Sequence, residues 1–371
     1  QIDANNRTTS YQYDAQGNLV KRTDALGFVT SYTYELVFNM MTSLTDANGR
    51  VTSYQYDVRG NRVKETDPLL GVREWSYDAR GNVLTEKDKN GNVTTYLYDV
   101  FGNRTQMTDA VGNMTTMTYD AVGNVITRTN ARGFTTNYQY DGLNRLTKET
   151  DALGKITQTV YDAQGNRVQV IDRNGNATQY QYDLRQRLTK ATDAPLQTTT
   201  MTYDGNDNRT SATNKNGQST SFQYDVQNRM VKTTDAIGNM TTMTYDPVGN
   251  KLTDTDANGR TSTYQYDALN RMVTKTDAEA NLTQVGYDGD VVCLAIGCPT
   301  KGSSKVTKQT DAEGKVTYFK YDGLDRPIIQ NRKQTDVADV IDGDDAVTQY
   351  TYDAQSNRLS ITEPNGNVMN Y

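Results

Sequence analysis

Asp14-Ala15-Gln16-Gly17-Asn18-Leu19-Val20-Lys21-Arg22-Thr23-Asp24-Ala25-Leu26-Gly27-Phe28-Val29-Thr30-Ser31-Tyr32-Thr33-Tyr34 divides into four pieces. Residues 14–17 and 24–27 carry turn chemistry. Residues 18–23 and 28–34 read as strands of six and seven residues, with the two-residue alternation of a pleated sheet. In a sister segment, Thr52, Tyr54 and Tyr56 fall on one face while Val51, Ser53 and Gln55 fall on the other. Four residues after the tyrosine that ends each unit stand Gly17, Gly60, Gly81, Gly102, Gly123, Gly165 and Gly249. Asn144, Asn228, Asn270, Asp207 and Asp325 occupy the same place. Gly, Asn and Asp tolerate a left-handed backbone, so the position is expected to have φ > 0. Asp at the start and a left-handed residue at the end make a hairpin connection that closes with a bulge.

The unit repeats. A tyrosine followed by an acid recurs at Tyr13, Tyr34, Tyr56, Tyr77, Tyr98, Tyr119, Tyr140, Tyr161, Tyr182, Tyr203, Tyr224, Tyr245, Tyr266, Tyr287, Tyr321 and Tyr352, mostly 21 residues apart. A fixed period of this length means a stacked array. Residues 1–371 are therefore expected to form one array of about 16 repeats, cut mid-repeat at both ends and so a slice of a longer protein. Two hairpin turns per unit predict an all-β, antiparallel meander of about 32 strands. Because strands twist, the ribbon should coil into a spiral, tube or shell. A parallel β-helix solenoid is the rival. It ranks second because tight hairpin turns reverse the chain.

Composition bounds the function. Hydrophobic residues make up 35%, and 26 tyrosines outnumber 6 phenylalanines and 1 tryptophan, which suits a thin sheet with wet faces. The formal charge is −6, with Lys and Arg dispersed, so no basic stripe exists for nucleic acid. No run of about 18 apolar residues offers a membrane span.

The pattern Y-D-x-x-G-N-x-x-x-x-T-D-A-x-G-x-x-T-x-Y resembles the RHS, or YD, repeat over essentially the whole chain. Tyr98-Asp99, Gly102-Asn103-Arg104, Thr108-Asp109-Ala110, Gly112 and Tyr119 illustrate the match. The family includes bacterial Rhs polymorphic toxins, shell subunits of insecticidal toxin complexes, cell-wall-associated proteins and teneurins. The resemblance implies hairpins spiralling into a hollow β-shell, which in the toxins encloses a toxic C-terminal polypeptide. It also implies a secreted or cell-surface location, in a bacterium. The chain lacks the family's plug segment, self-cleaving aspartate site and toxin domain, so autoproteolysis carries over to no residue here.

Candidate chemistry is sparse. There is no histidine, which removes the commonest general base and metal ligand. The acids fall mainly at turn-opening positions such as Asp57, Asp67, Asp78 and Asp88, where a carboxylate can accept backbone N–H bonds. Asp204 to Asn208 alternates oxygen donors but lacks the glycine and distal glutamate of an EF-hand loop, and Asp342 to Asp345 is merely acid-rich. No catalytic residue, cofactor or metal is assigned. Eight N-x-Ser/Thr sequons, at Asn6, Asn92, Asn103, Asn113, Asn176, Asn208, Asn239 and Asn281, are the by-product of a repeat rich in Asn and Thr.

The rhythm breaks twice. An insertion at 289–304 holds the only two cysteines, Cys293 and Cys298, in the most apolar stretch of the chain. A disulfide between them would close a short loop and contribute about 2 kcal/mol; two free thiols are the alternative. Val291, Val292, Leu294 and Ile296 should cover something: another turn of the spiral, a neighbouring subunit or an enclosed chain. A second insertion, at 327–341, is polar and reads as a surface loop. Three functions follow: a non-catalytic β-shell that sequesters a polypeptide, a self-assembling extracellular filament, or an adhesin for glycans or proteins. Expected partners are other repeats or subunits of the same protein, and an enclosed polypeptide or surface glycans.

Overall fold

The computed structural model describes residues 1–287, 305–333 and 345–371, and among these it contains strands and turns but no helix. Thirty-three strands run from β1 (Ser10–Tyr13), β2 (Leu19–Thr23) and β3 (Val29–Tyr34) to β33 (Val368–Asn370). Each pairs antiparallel with the strand before and the strand after it, so the chain is a single unbroken meander. The pairing is antiparallel throughout, which excludes the parallel β-helix.

The two kinds of strand follow from the sequence. Five-residue strands such as Arg104–Thr108 alternate with six-residue strands such as Met114–Tyr119. Threonine, valine and tyrosine supply the branched and aromatic side chains that fit a half-buried pleat. Strands begin one residue later than expected: Asn18 and Phe28 close turns, their carbonyls accepting from Asp14 N and Asp24 N. Residues 327–332, expected to open the second insertion, instead form the strand Pro327–Arg332, paired on both sides. Ten extra residues hid the ordinary strand that precedes them.

The left-handed turn residue is more general than the sequence indicates. Gln186 (φ 63°) and Ser356 (φ 73°) adopt it although neither is Gly, Asn or Asp. In the longer turn after Tyr34 it moves one place, to Asn39. The hairpin closure imposes the conformation, and the residue tolerates it.

Two rims result. Among the described residues, turns that follow the repeat tyrosine lie along one margin of the ribbon, here the tyrosine rim. Turns that follow the five-residue strands lie along the other, the threonine rim. The sheet has little core. Fully buried residues are few, and those around Thr307, Val316, Tyr318, Asn331 and Lys333 cluster in one late region. There the Lys333 ammonium lies 2.8 Å from the Asp345 carboxylate, each side chain about 1% exposed.

Candidate functional site: the turn clamps and the coil seam

Each turn is built around its opening carboxylate. Asp99 Oδ1 accepts from the backbone N–H of Phe101 and Asn103, and Oδ2 accepts from the Asn103 amide, all at 2.9 Å. The Asn103 side chain holds the Asp99 carboxyl below the usual 3.8 against the opposing effect of burial, with the backbone donors assisting. Asp14, Asp78, Asp109 and Asp120 are each depressed by the asparagine four residues on: Asn18, Asn82, Asn113 and Asn124. Where arginine replaces asparagine, as at Arg145 and Arg187, the guanidinium makes the bond to Asp141 or Asp183. The acids are thus committed to the turns. Asp204, in the calcium-like stretch, is spent on Asn206 and Asn208, and Asp207 on Arg185 and Arg187. Among the described residues no group of three or more potential ligands could hold a metal.

The repeat tyrosine has a job that spacing did not show. Its hydroxyl donates to the carbonyl of the residue that opens the preceding five-residue strand. Tyr34 bonds Leu19 O, Tyr98 bonds Val83 O, and Tyr140 bonds Val125 O, at 2.9–3.0 Å. The register explains why. β2 and β3 pair at Lys21–Ser31 and onward to Thr23–Val29, but the ladder stops before Leu19. A bulge beside Tyr13 leaves that end splayed. The phenol fills the lost ladder position, so phenylalanine would not serve. Burial pushes the phenols of Tyr56, Tyr77 and Tyr140 above the ordinary 10.0.

Along the tyrosine rim, rungs join one turn to the next. The Asn124 amide donates to the Asn144 amide oxygen, and Asn208 and Asn250 reach Asn228 and Asn270 in the same way. Alternate turns use arginine. Arg145, Arg187 and Arg229 reach the carbonyls of Asp162, Asp204 and Asp246, and stack on Tyr161, Tyr203 and Tyr245 with 4.5–4.9 Å to the ring centres. The alternation gives this part of the array a double period of 42 residues.

The most consequential contacts join turns far apart in sequence. Asn5 donates to Asp246 Oδ2 at 3.0 Å, and Arg7 to Asn270. Arg50 pairs with Asp325 at 2.7 Å while keeping its own turn acid Asp46. Asn90 donates to Asp353 at 2.9 Å and accepts from Ala354 N. Leu69 packs where a side chain on Gly323 would lie 2.8 Å from it. In every case a threonine-rim turn of the first 90 residues seats on a tyrosine-rim turn near the far end, 241 to 275 residues later. The ribbon therefore coils, and its first hairpins rest on its last through a polar seam. Among the described residues, strands themselves touch only their chain neighbours.

Of the residues expected to carry function, the repeat tyrosines Tyr56 through Tyr287, Tyr321 and Tyr352 make the hydroxyl bond described, while Tyr13 ends the first strand, with no preceding strand to bond. Cys293, Cys298, Val291, Val292, Leu294 and Ile296 lie outside the described residues, as does 334–341 of the second insertion. Seven sequon asparagines, among them Asn92, Asn113 and Asn281, are clamp partners of turn aspartates. The seam escaped sequence reading because its partners lie 241 to 275 residues apart and nothing within one repeat specifies the pairing.

A family model described as RHS Repeat matches residues 1–29, 13–35, 38–69, 77–114, 119–156, 161–194, 203–239, 245–282 and 333–368. The chain belongs to the RHS repeat family. RHS geometry is also what similar solved structures share. The TcdB2–TccC3–TEV crystal structure aligns at a TM-score of 0.53 and 15% identity, covering 94% of this chain. TcdB2–TccC3 without its hypervariable C-terminal region aligns at 0.52 and 15%, and TcdB2–TccC3–Cdc42 at 0.51 and 14%, each over 94% of this chain. The RHS chain spans only 22% of the length of these larger chains. No curated protein matches it in sequence. At such identity the likeness is one of fold: a structural RHS scaffold.

Proposed function

We propose that this RHS array is a segment of the wall of a β-shell that encloses a polypeptide, within a secreted bacterial protein. The observation that carries the reading is the seam. A coil that closes on itself after about twelve repeats has on the order of 24 strands around it, which at ~4.8 Å per strand gives a ring ~37 Å across. After inward side chains are allowed for, a lumen of ~25 Å remains, wider than the ~10–12 Å of a single helix. The similar structures named with TEV, with Cdc42 and without a hypervariable C-terminal region support a wall that tolerates varied attached polypeptides. Acids committed to turns and tyrosines committed to strand carbonyls favour a scaffold over an enzyme.

The test appends an unstructured polypeptide with one protease site after Tyr371. Cleavage is compared with that of a variant whose seam is opened by Arg50→Ala and Asn90→Ala. Enclosure requires slower cutting in the parent chain than in the opened variant. Equal rates in both would remove the enclosing role and leave the scaffold.

A further inference from the structure

Among the described residues, the seam uses one stretch of each rim and leaves exposed turns elsewhere on both. On the unused threonine rim, Leu153 and Ile237 are 83% and 81% exposed, and Val111 is similarly bare. On the unused tyrosine rim, Phe101 and Val226 stand 86% and 98% exposed, beside Leu184. Successive turns on one rim are two strands, or ~10 Å, apart, and these tips fall two or four turns from one another, so each rim presents apolar tips ~20–40 Å apart.

The seam itself shows what fits them. Leu69 stands third in its threonine-rim turn, Asp67-Pro68-Leu69, just as Val111, Leu153 and Ile237 do in theirs. Seated over Gly323, Leu69 is only 46% exposed. Gly323 is second in its tyrosine-rim turn, and Gly142 and Gly205 hold the same place on the bare rim with nothing within 4 Å of where a side chain would start. The polar parts recur as well. Arg7 reaches the left-handed residue Asn270, although that residue already accepts from Asn250. Asn144 and Asn228 are left-handed residues outside the seam that accept from Asn124 and Asn208 in the same way and can take a second donor.

We infer that the free threonine rim of one copy of this chain docks on the free tyrosine rim of a second copy, repeating the internal seam between molecules. Because unlike rims meet, the contact is heterologous and each docked copy presents another free rim. The outcome is a head-to-tail stack of coils. This goes beyond the wall reading and does not depend on anything being enclosed.

Light scattering coupled to size exclusion, with increasing chain concentration, tests the inference. The expected mass rises from 41.4 kDa to at least twice that value. A threonine-rim variant, Leu153→Asp with Ile237→Asp, and a tyrosine-rim variant, Leu184→Asp with Val226→Asp, should each stay at one chain with an unchanged circular dichroism spectrum. Mixed together, they should form a one-to-one dimer and stop there, since each retains one intact rim. A parent chain that remains a single copy at every concentration would overturn the inference. So would variants that associate as the parent does, or a mixture that stays monomeric.

Discussion

At the scale of single residues, the repeat is defined by two polar functions, the carboxylate that clamps a turn and the phenol that clasps a strand. Tyr98→Phe keeps the ring but strands the Val83 carbonyl, and should cost about 1 kcal/mol, read as a lower thermal midpoint. Leu196 is a counter-example to the turn rule. It holds φ 65° with a side chain that disfavours it, so Leu196→Gly should stabilise by roughly 0.5–1 kcal/mol, measurable by urea titration. The aspartate, glycine and asparagine of each turn were legible in the sequence because their chemistry is local. The phenol's bond was not, since its partner lies 15 residues back and only the strand register brings them together. Lys333 and Asp345 were hidden for a similar reason: they flank an insertion that erases the period. Lys333→Met would leave a buried carboxylate facing an apolar chain, at a cost of about 3 kcal/mol.

At the scale of elements, every strand is secured by its neighbours and each long-range contact passes through turns. Stability should therefore be nearly additive along the array and separable from the coil. Asn90→Asp would set a second carboxylate against Asp353, and Arg50→Ala would remove the bridge between Asp46 and Asp325. Small-angle scattering of the double variant should show a larger radius of gyration, while its circular dichroism stays that of the parent. A parallel loss of strand signal would mean that the seam and the hairpins are not separable. Hairpin turns, strand alternation and the antiparallel order were readable from the type unit, because these are properties of 21 residues. The seam is a property of about 260, and nothing within one repeat specifies its partner.

At the scale of the whole molecule, the clamps set the pH range of the fold. Asp14, Asp99 and Asp353 have pKa values lowered from 3.8 chiefly by a neighbouring asparagine amide, Asp141 and Asp183 chiefly by a neighbouring guanidinium, and at Asp246 burial opposes a lowering supplied by the Asn250 and Asn5 amides. A depressed pKa contributes stability above the unfolded value that is lost as pH falls through the folded one. The buried phenols are raised from 10.0, so their contribution is present below that value and lost as pH climbs through the folded one. Thermal midpoints should be flat between these limits, falling together across the array below pH 3.8 and again above pH 10. A midpoint that drops already near neutral pH would point to a different titrating group.

The coil itself is tested most directly by one distance. Spin labels at Val93 and Leu359, in a chain with Cys293 and Cys298 replaced by serine, flank the seam where Asn90 meets Asp353. A ribbon that coils and seats its first hairpins on its last requires a label separation below about 30 Å, with each intervening strand adding ~4.8 Å only along the circumference. An uncoiled ribbon would place the same labels roughly 110 Å apart. A distance distribution with no population shorter than about 60 Å would contradict the coil, and with it the wall and the stacking of rims.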